Sequence, residues 1–244
     1  MKICLAQTQS KSGLIAATLQ HHLSILELAG SEGAELVVFP ELSLTGYLPE
    51  QGRALALAAN DKQFLPLQQM ADRAGLSFAV GAPIGHSKSV SIGLLLFQPY
   101  SSLQVYLKRY LHEDEQPFFE AGDGPPLLFS RNLTFAICYE LSIPEHAESA
   151  RTLGAETYIV SAVKTAAQLE STTARLAKIA EEYSWTVLLC NSVGPNGDVS
   201  AGGASAVWGS GGAQLCELDD RREGLLFYNT LKREGSVKYL EELL

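Results

Sequence analysis

Short apolar runs alternate with amphipathic stretches along the chain. Residues 2–9 are strand-like. Leu14, Leu19, Leu23, Leu26 and Ala29 then recur at helical spacing, with Gly30 and Gly33 near the stop. The apolar segment 35–39 reads as a strand ended by Pro40, and the pattern predicts a second helix over 62–74 capped by Gly75. Segments 77–82, 90–98 and 103–108 are strand-like and close enough in sequence for an antiparallel meander. Residues 109–126 carry no sustained period, and an irregular stretch of that length inside a compact domain is often functional.

Beyond it, strands at 127–130 and 133–138 flank a short turn at Arg131-Asn132. A helix over 143–153, a strand over 156–161, a helix over 170–183 and a strand over 186–191 continue the alternation. The Gly/Ser-rich segment 192–212 follows, with short antiparallel-type strands at 204–208, 213–217 and 224–228. Helices distributed between strands imply an α/β protein with layers on the sheet faces. No composition break, long linker or internal repeat divides the chain, so a single domain over 1–244 is expected.

Composition narrows the function classes. The chain has 244 residues, 46% hydrophobic and only 18% charged, enough for a large core and too few charges for extended disorder. Net charge is −9, and no basic cluster exceeds Arg221-Arg222 or Lys232-Arg233, which argues against nucleic acid and anionic membranes as partners. The N-terminal apolar run is too short for a signal peptide, and no segment approaches the roughly 18 to 20 apolar residues that cross a bilayer. Cys4, Cys138, Cys190 and Cys216 form no C-x-x-C pair and are expected as reduced thiols in a cytoplasmic protein.

Three β-rich runs end in chemically distinct residues. Phe39-Pro40-Glu41-Leu42-Ser43-Leu44-Thr45-Gly46-Tyr47 carries an acid, Tyr106-Leu107-Lys108-Arg109-Tyr110-Leu111 an ammonium, and Ile137-Cys138-Tyr139-Glu140 a thiol. These are the parts of an acyl-transfer site. A cysteine of ordinary pKa near ~8.5 needs a base or cation to become nucleophilic. Glu41 could take the thiol proton and return it to a leaving amine, and Lys108 could hold the developing oxyanion with the Tyr139 amide as a second donor. Taken singly, each has a bland reading: a solvated loop acid, a surface lysine, a core cysteine. His112 and His146 lie near the candidate loops and remain open as alternative bases.

Other motifs fail. Gly209-Ser210-Gly211-Gly212-Ala213-Gln214 ends in Gln and lies between short strands, unlike a dinucleotide fingerprint. Gly203-Ala204-Ser205-Ala206-Val207 lacks the closing glycine of a nucleophile elbow. No H-E-x-x-H occurs and the five histidines show no ligand spacing, so neither metal nor cofactor is expected.

The three motifs, in this order, resemble those of the nitrilase superfamily of carbon–nitrogen hydrolases, and the resemblance runs from Met1 to about Phe227. Residues 154–161 are similar to the strand after the nucleophile helix. Asn191-Ser192-Val193-Gly194 and residues 202–208 are similar to the glycine/serine segment packed behind the site. The resemblance implies a four-layer α-β-β-α sandwich with Glu41 as general base and acid, Lys108 as oxyanion stabiliser and Cys138 as covalent nucleophile. It implies at least a homodimer built by packing helices of two subunits.

Many members carry a second glutamate after the lysine. Glu115 is the candidate here, with Glu113 and Glu120 as alternatives. By position, Tyr47, Tyr139, Glu140, Ala162 and Val163 are expected around a small-molecule amide. The segment after the cysteine, Leu141-Ser142-Ile143-Pro144, has no arginine of the kind used by carboxylate-recognising branches, so the substrate is left unnamed. A catalytically silent binding or assembly protein, an acyltransferase and a nitrile-hydrolysing variant are the rival readings.

Overall fold

The computed structural model describes residues 1–86, 89–130 and 132–242. In the first half, β1 (Lys2–Gln7), α1 (Ile15–Ser31), β2 (Leu36–Val38), the short α2 (Gly52–Leu55), α3 (Leu65–Ala74), β3 (Ser77–His86), β4 (Ser89–Phe97) and β5 (Gln104–Leu107) follow one another. The second half runs β6 (Leu128–Phe129), β7 (Leu133–Ile137), α4 (Pro144–Thr152), β8 (Thr157–Ala162), α5 (Ala166–Tyr183) and β9 (Thr186–Asn191). It closes with β10 (Val193–Asn196), β11 (Val199–Gly202), β12 (Ala206–Trp208), β13 (Gln214–Glu217), β14 (Gly224–Asn229) and β15 (Glu234–Tyr239).

Two sheets result. The first has the order β15-β14-β1-β2-β3-β4-β5 and the second β13-β12-β9-β8-β7-β6, while β10 and β11 form a separate hairpin. Pairing is parallel at β1/β2/β3 and at β7/β8/β9, where helices make the crossovers, and antiparallel elsewhere. Period-two alternation sorts the side chains of β1: Ile3 and Leu5 join the core with Phe135, Val160 and Leu189 of the second sheet. Cys4 and Ala6 point the other way, to Leu26 of α1 and Leu67 and Met70 of α3. On the outer face of the second sheet, Ala147 and Ala150 of α4 and Leu176 and Ile179 of α5 are buried. Helices, sheet, sheet and helices therefore form the four-layer sandwich, with Ser161 Oγ donating to Phe39 O across the sheets at 2.8 Å.

Several local expectations are corrected. Strand 2–9 ends at Gln7, and the helix placed at 170–183 begins four residues earlier, at Ala166, where Thr165 and Gln168 form a reciprocal cap. The glycine/serine segment holds the β10/β11 hairpin, and an unanticipated β15 pairs along all of β14. Apolar pattern could not reveal β15, since most of its residues are exposed at a sheet edge. In the proposed turn at 131–132, Arg131 lies outside the described residues. No helix among the described residues is long and apolar enough to cross a membrane.

Candidate active site

Glu41, Lys108 and Cys138 lie just beyond the carboxyl ends of β2, β5 and β7, where loops of both sheets converge. Glu41 sits in a turn that lies flat against β3. Leu44 N donates to Gly81 O, Gly81 N donates to Ser43 Oγ, and Ser43 N donates to Pro40 O. Close approach requires Gly81: a Cβ there would stand 2.3 Å from Leu42 N and 2.8 Å from Pro40 O.

Lys108 is fully buried, and its ammonium donates to Glu41 Oε1 at 2.7 Å and to Glu115 Oε1 at 2.6 Å. Burial works against its charge, but the two carboxylates outweigh burial and hold its pKa above lysine's ordinary value. Glu115 belongs to the irregular segment 109–126 and is itself buried; His112 N donates to its Oε2 at 2.8 Å. Glu113 and Glu120 are exposed, so of the three acids only Glu115 meets the lysine.

Cys138 departs from its predicted strand. It opens a 3₁₀ turn, Cys138–Ser142, with φ at +43°, a left-handed conformation costly for a residue with a Cβ. Glu140 in the same turn holds this geometry. Its Oε2 accepts from Ile137 N at 2.7 Å, and its Oε1 accepts from Arg109 N and the Tyr106 hydroxyl, each at 2.7 Å. One carboxylate thus bridges the residue before Cys138 and the residue after Lys108. Burial raises the Glu140 pKa to about 7, opposed by these donors. It was expected in the substrate pocket; it lies beneath it, fully enclosed, and Ala162 is likewise absent from the lining.

The Cys138 thiol is nearly buried, with Sγ 3.8 Å from Val163 O. Burial pushes its pKa up to about 11; the Glu41 charge adds to the rise, while Lys164 and Lys108 oppose it. Burial also raises the Glu41 pKa, and Lys108 counteracts it. Among the described residues, Glu41 Oε2 is buried without a hydrogen-bond partner of normal geometry. That free oxygen is the one available to a thiol proton.

A cavity of about 80 Å³ opens over Cys138 and is lined by Tyr47, Glu115, Tyr139, Val163, Lys164 and Gln168, among others. Tyr47 is fixed from behind: its N donates to Asn196 Oδ1 at 2.9 Å, and its hydroxyl lies 3.2 Å from Asp114 Oδ2 and 3.3 Å from Glu115 Oε1. Of the two histidines held open as bases, His146 is enclosed with Tyr106, Tyr158 and Glu140, and burial lowers its pKa to about 3. His112 pairs with Asp114 and stands edge-on to Tyr139 at the cavity wall. Lys164 and Gln168 were missed. Ala162-Val163-Lys164 is another strand exit carrying an ammonium, a signal of the same kind as Lys108. Among the described residues, no group of three or more His, Cys, Asp or Glu could hold a metal.

A thiol on a strained turn, beside two carboxylates that share one sealed ammonium, defines a thiol-dependent acyl-transfer enzyme on an α/β sandwich. The family model for carbon-nitrogen hydrolases matches residues 2–238, and the chain belongs to that family, the nitrilase superfamily. An (R)-stereoselective amidase from Pseudomonas sp. is 28% identical over 219 residues, covering 85% of this chain and 77% of that protein. Two structures of mutants of an amidase from Nesterenkonia sp. AN1 are each 26% identical with a TM-score of 0.85, over 93% of this chain and 89% of that one. One shows covalent addition of the acetamide moiety of fluoroacetamide at the active-site cysteine; the other is in complex with butyramide.

Proposed function

We propose that this hydrolase is an amidase that converts a small amide to a carboxylate and ammonia or an amine through a thioester on Cys138. The buried Glu41–Lys108–Glu115 network beside the thiol carries the reading. As Sγ bonds to the amide carbon, its proton passes to Glu41 Oε2, so the thiolate never has to exist as a free ion in a dry site. The carbonyl oxygen takes up the electron pair and accepts from the third Lys108 N–H, the other two being engaged by carboxylates, and from the Tyr139 amide.

Glu41 then protonates the nitrogen, the C–N bond breaks and the amine departs. Water gives a proton to Glu41 and its oxygen attacks the thioester. Collapse of the second adduct expels sulfur, which recovers its proton, and the carboxylic product leaves. All groups return to their starting state, and no step calls on a cofactor. The cavity of about 80 Å³ suits a short acyl chain. The amide ligands seen in the Nesterenkonia enzyme support an amide rather than a nitrile.

Ammonia release from butyramide tests this. Wild type is expected to turn over and to be labelled by fluoroacetamide at Cys138 ahead of Cys4, Cys190 and Cys216, while Cys138→Ala is inactive. Full turnover by Cys138→Ala ends the proposal.

The reading includes a homodimer or higher homo-oligomer in a reducing compartment, the cytoplasm; the four free thiols fit the latter. Light scattering would show at least twice 26.3 kDa, and a monomer overturns the first part. Cell fractionation should recover the protein with cytosolic markers; recovery from an oxidising compartment overturns the second.

A further inference from the structure

The cavity over Cys138 does not end at its own wall. Tyr139, Lys164, Gln168 and His112 also line an outer groove of about 470 Å³, which continues to Arg175 of α5. Two cations face this space. Lys164 is only 7% exposed, and its backbone is fixed because its N donates to Asn191 Oδ1 at 2.7 Å. No hydrogen bond or ion pair to its ammonium is found among the described residues, and the ammonium is not sealed from solvent. Arg175 is half-buried; its Nε donates to Leu141 O at 3.2 Å, and no carboxylate pairs with its guanidinium among the described residues.

Among the described residues no Asp or Glu lines the outer groove, the nearest acids, Asp114 and Glu115, lying in the inner cavity. In a chain with 27 acidic residues against 18 Lys and Arg, two cations without an ion pair among the described residues along one groove beside the reaction cavity are a local positive feature. The Lys164 ammonium and the free end of the Arg175 fork have no protein acceptor among the described residues, so their donors can be offered to a ligand. The inner cavity takes the reacting amide and little more, so the rest of any longer substrate must extend past Lys164.

We infer that Lys164 and Arg175 form an anion subsite, and that the preferred substrates are small amides carrying a carboxylate a few bonds from the scissile C–N bond. This rests on the amidase reading above and adds the substrate class. It also answers the missing arginine after the cysteine: the cation comes from α5, 37 residues beyond Cys138 in sequence (175 − 138), and only the fold brings it to the groove.

The experiment compares kcat/KM on matched pairs. Succinamate is set against butyramide for a carboxylate on the acyl side, and N-acetylglycine against N-acetylglycinamide for one on the departing amine. Wild type should prefer the anionic member of at least one pair by about ten- to hundredfold, as expected for charge-assisted hydrogen bonds, and the pair showing it identifies the side. The preference should shrink as salt rises. Arg175→Gln and Lys164→Gln should each reduce the ratio, and Arg175→Glu should turn it toward the cationic 4-aminobutyramide. A merely structural role would lower both members of a pair alike and leave the ratio intact. Equal turnover of both members by wild type, or a ratio unmoved in Arg175→Gln, overturns the subsite while the amidase reading stands. Hydrolysis of none of these amides, with Cys138 unlabelled, removes the amidase reading and the subsite with it.

Discussion

Lys108 holds one positive charge between two carboxylates, and that imbalance governs the protons of the site. Each carboxylate stabilises the ammonium, but Glu115 also repels Glu41 and adds to the rise that burial imposes on it. A general base must be ionised before it can take the thiol proton. Activity should therefore be lost as pH falls through a Glu41 pKa lying above the ordinary 4.5. Glu115→Gln keeps a hydrogen-bond acceptor near Lys108 and removes the repelling charge. It is expected to move the acidic limb of the pH–kcat/KM profile to lower pH and to reduce kcat by about 10²-fold through looser positioning of Lys108. An unmoved limb with unchanged kcat would show that Glu115 is not part of this balance.

At the scale of elements, the site depends on how closely loops approach strands. The Glu41 turn rests on β3 only because position 81 has no side chain. Gly81→Ala would force the turn outward by more than a side-chain adjustment can absorb, since the obstructing atoms are backbone. The variant is expected to fold with a loss of about 1–3 kcal/mol, measured by urea unfolding, and to lose at least about 10² in kcat/KM. Activity at wild-type level would mean that the turn is not set by this contact. Glu140 makes the matching connection on the other side, tying the exits of β5 and β7 so that Lys108 and Cys138 keep one spacing. Helix α1 carries an unusual core residue: His22 is stacked on Phe39 at 4.0 Å, fully buried, with neither ring nitrogen hydrogen-bonded in normal geometry. Burial lowers its pKa to about 3.

For the whole molecule, this makes acid a stress with a definite sign. Between pH 6.5 and 3 the unfolded chain protonates His22 while the folded chain does not, so the group's contribution to stability falls as pH drops. His146 acts in the same direction from the opposite helical layer. Glu140 opposes both: with its pKa raised to about 7, the folded state binds its proton more readily than the unfolded chain between about 4.5 and 7. Wild type alone mixes these effects, so the difference from His22→Leu isolates one of them. The variant should gain about 2 kcal/mol relative to wild type between pH 7 and pH 5, read from urea unfolding at the two values. A pH-independent difference would mean that His22 is not held neutral.

Helix α1 was legible because burying one face imposes a period, and β3, β4 and β9 because strands buried on both faces read as continuous apolar runs. Where an element is exposed or two-sided, as in β15 and the β10/β11 hairpin, no period is imposed and none could be read. The motif residues Glu41, Lys108 and Cys138 were legible because each ends a β-rich run and carries reactive chemistry. Glu115 was the first choice among three acids in sequence, and its burial against Lys108 is what separates it from Glu113 and Glu120. Glu140 was misplaced because a glutamate next to a cysteine looks the same in sequence whether it faces a pocket or clamps a backbone.

By itself, then, the chain's order of residues settled the α/β class and, through its ordered motifs, the family, since these follow from local periodicity and from side-chain chemistry. Only the tertiary structure decided the strained turn at Cys138, the close approach at Gly81, and the placing of Lys164 and Arg175 along one groove. Those depend on distances between segments far apart in sequence, and such distances are set by packing two sheets together rather than by any residue's neighbours along the chain.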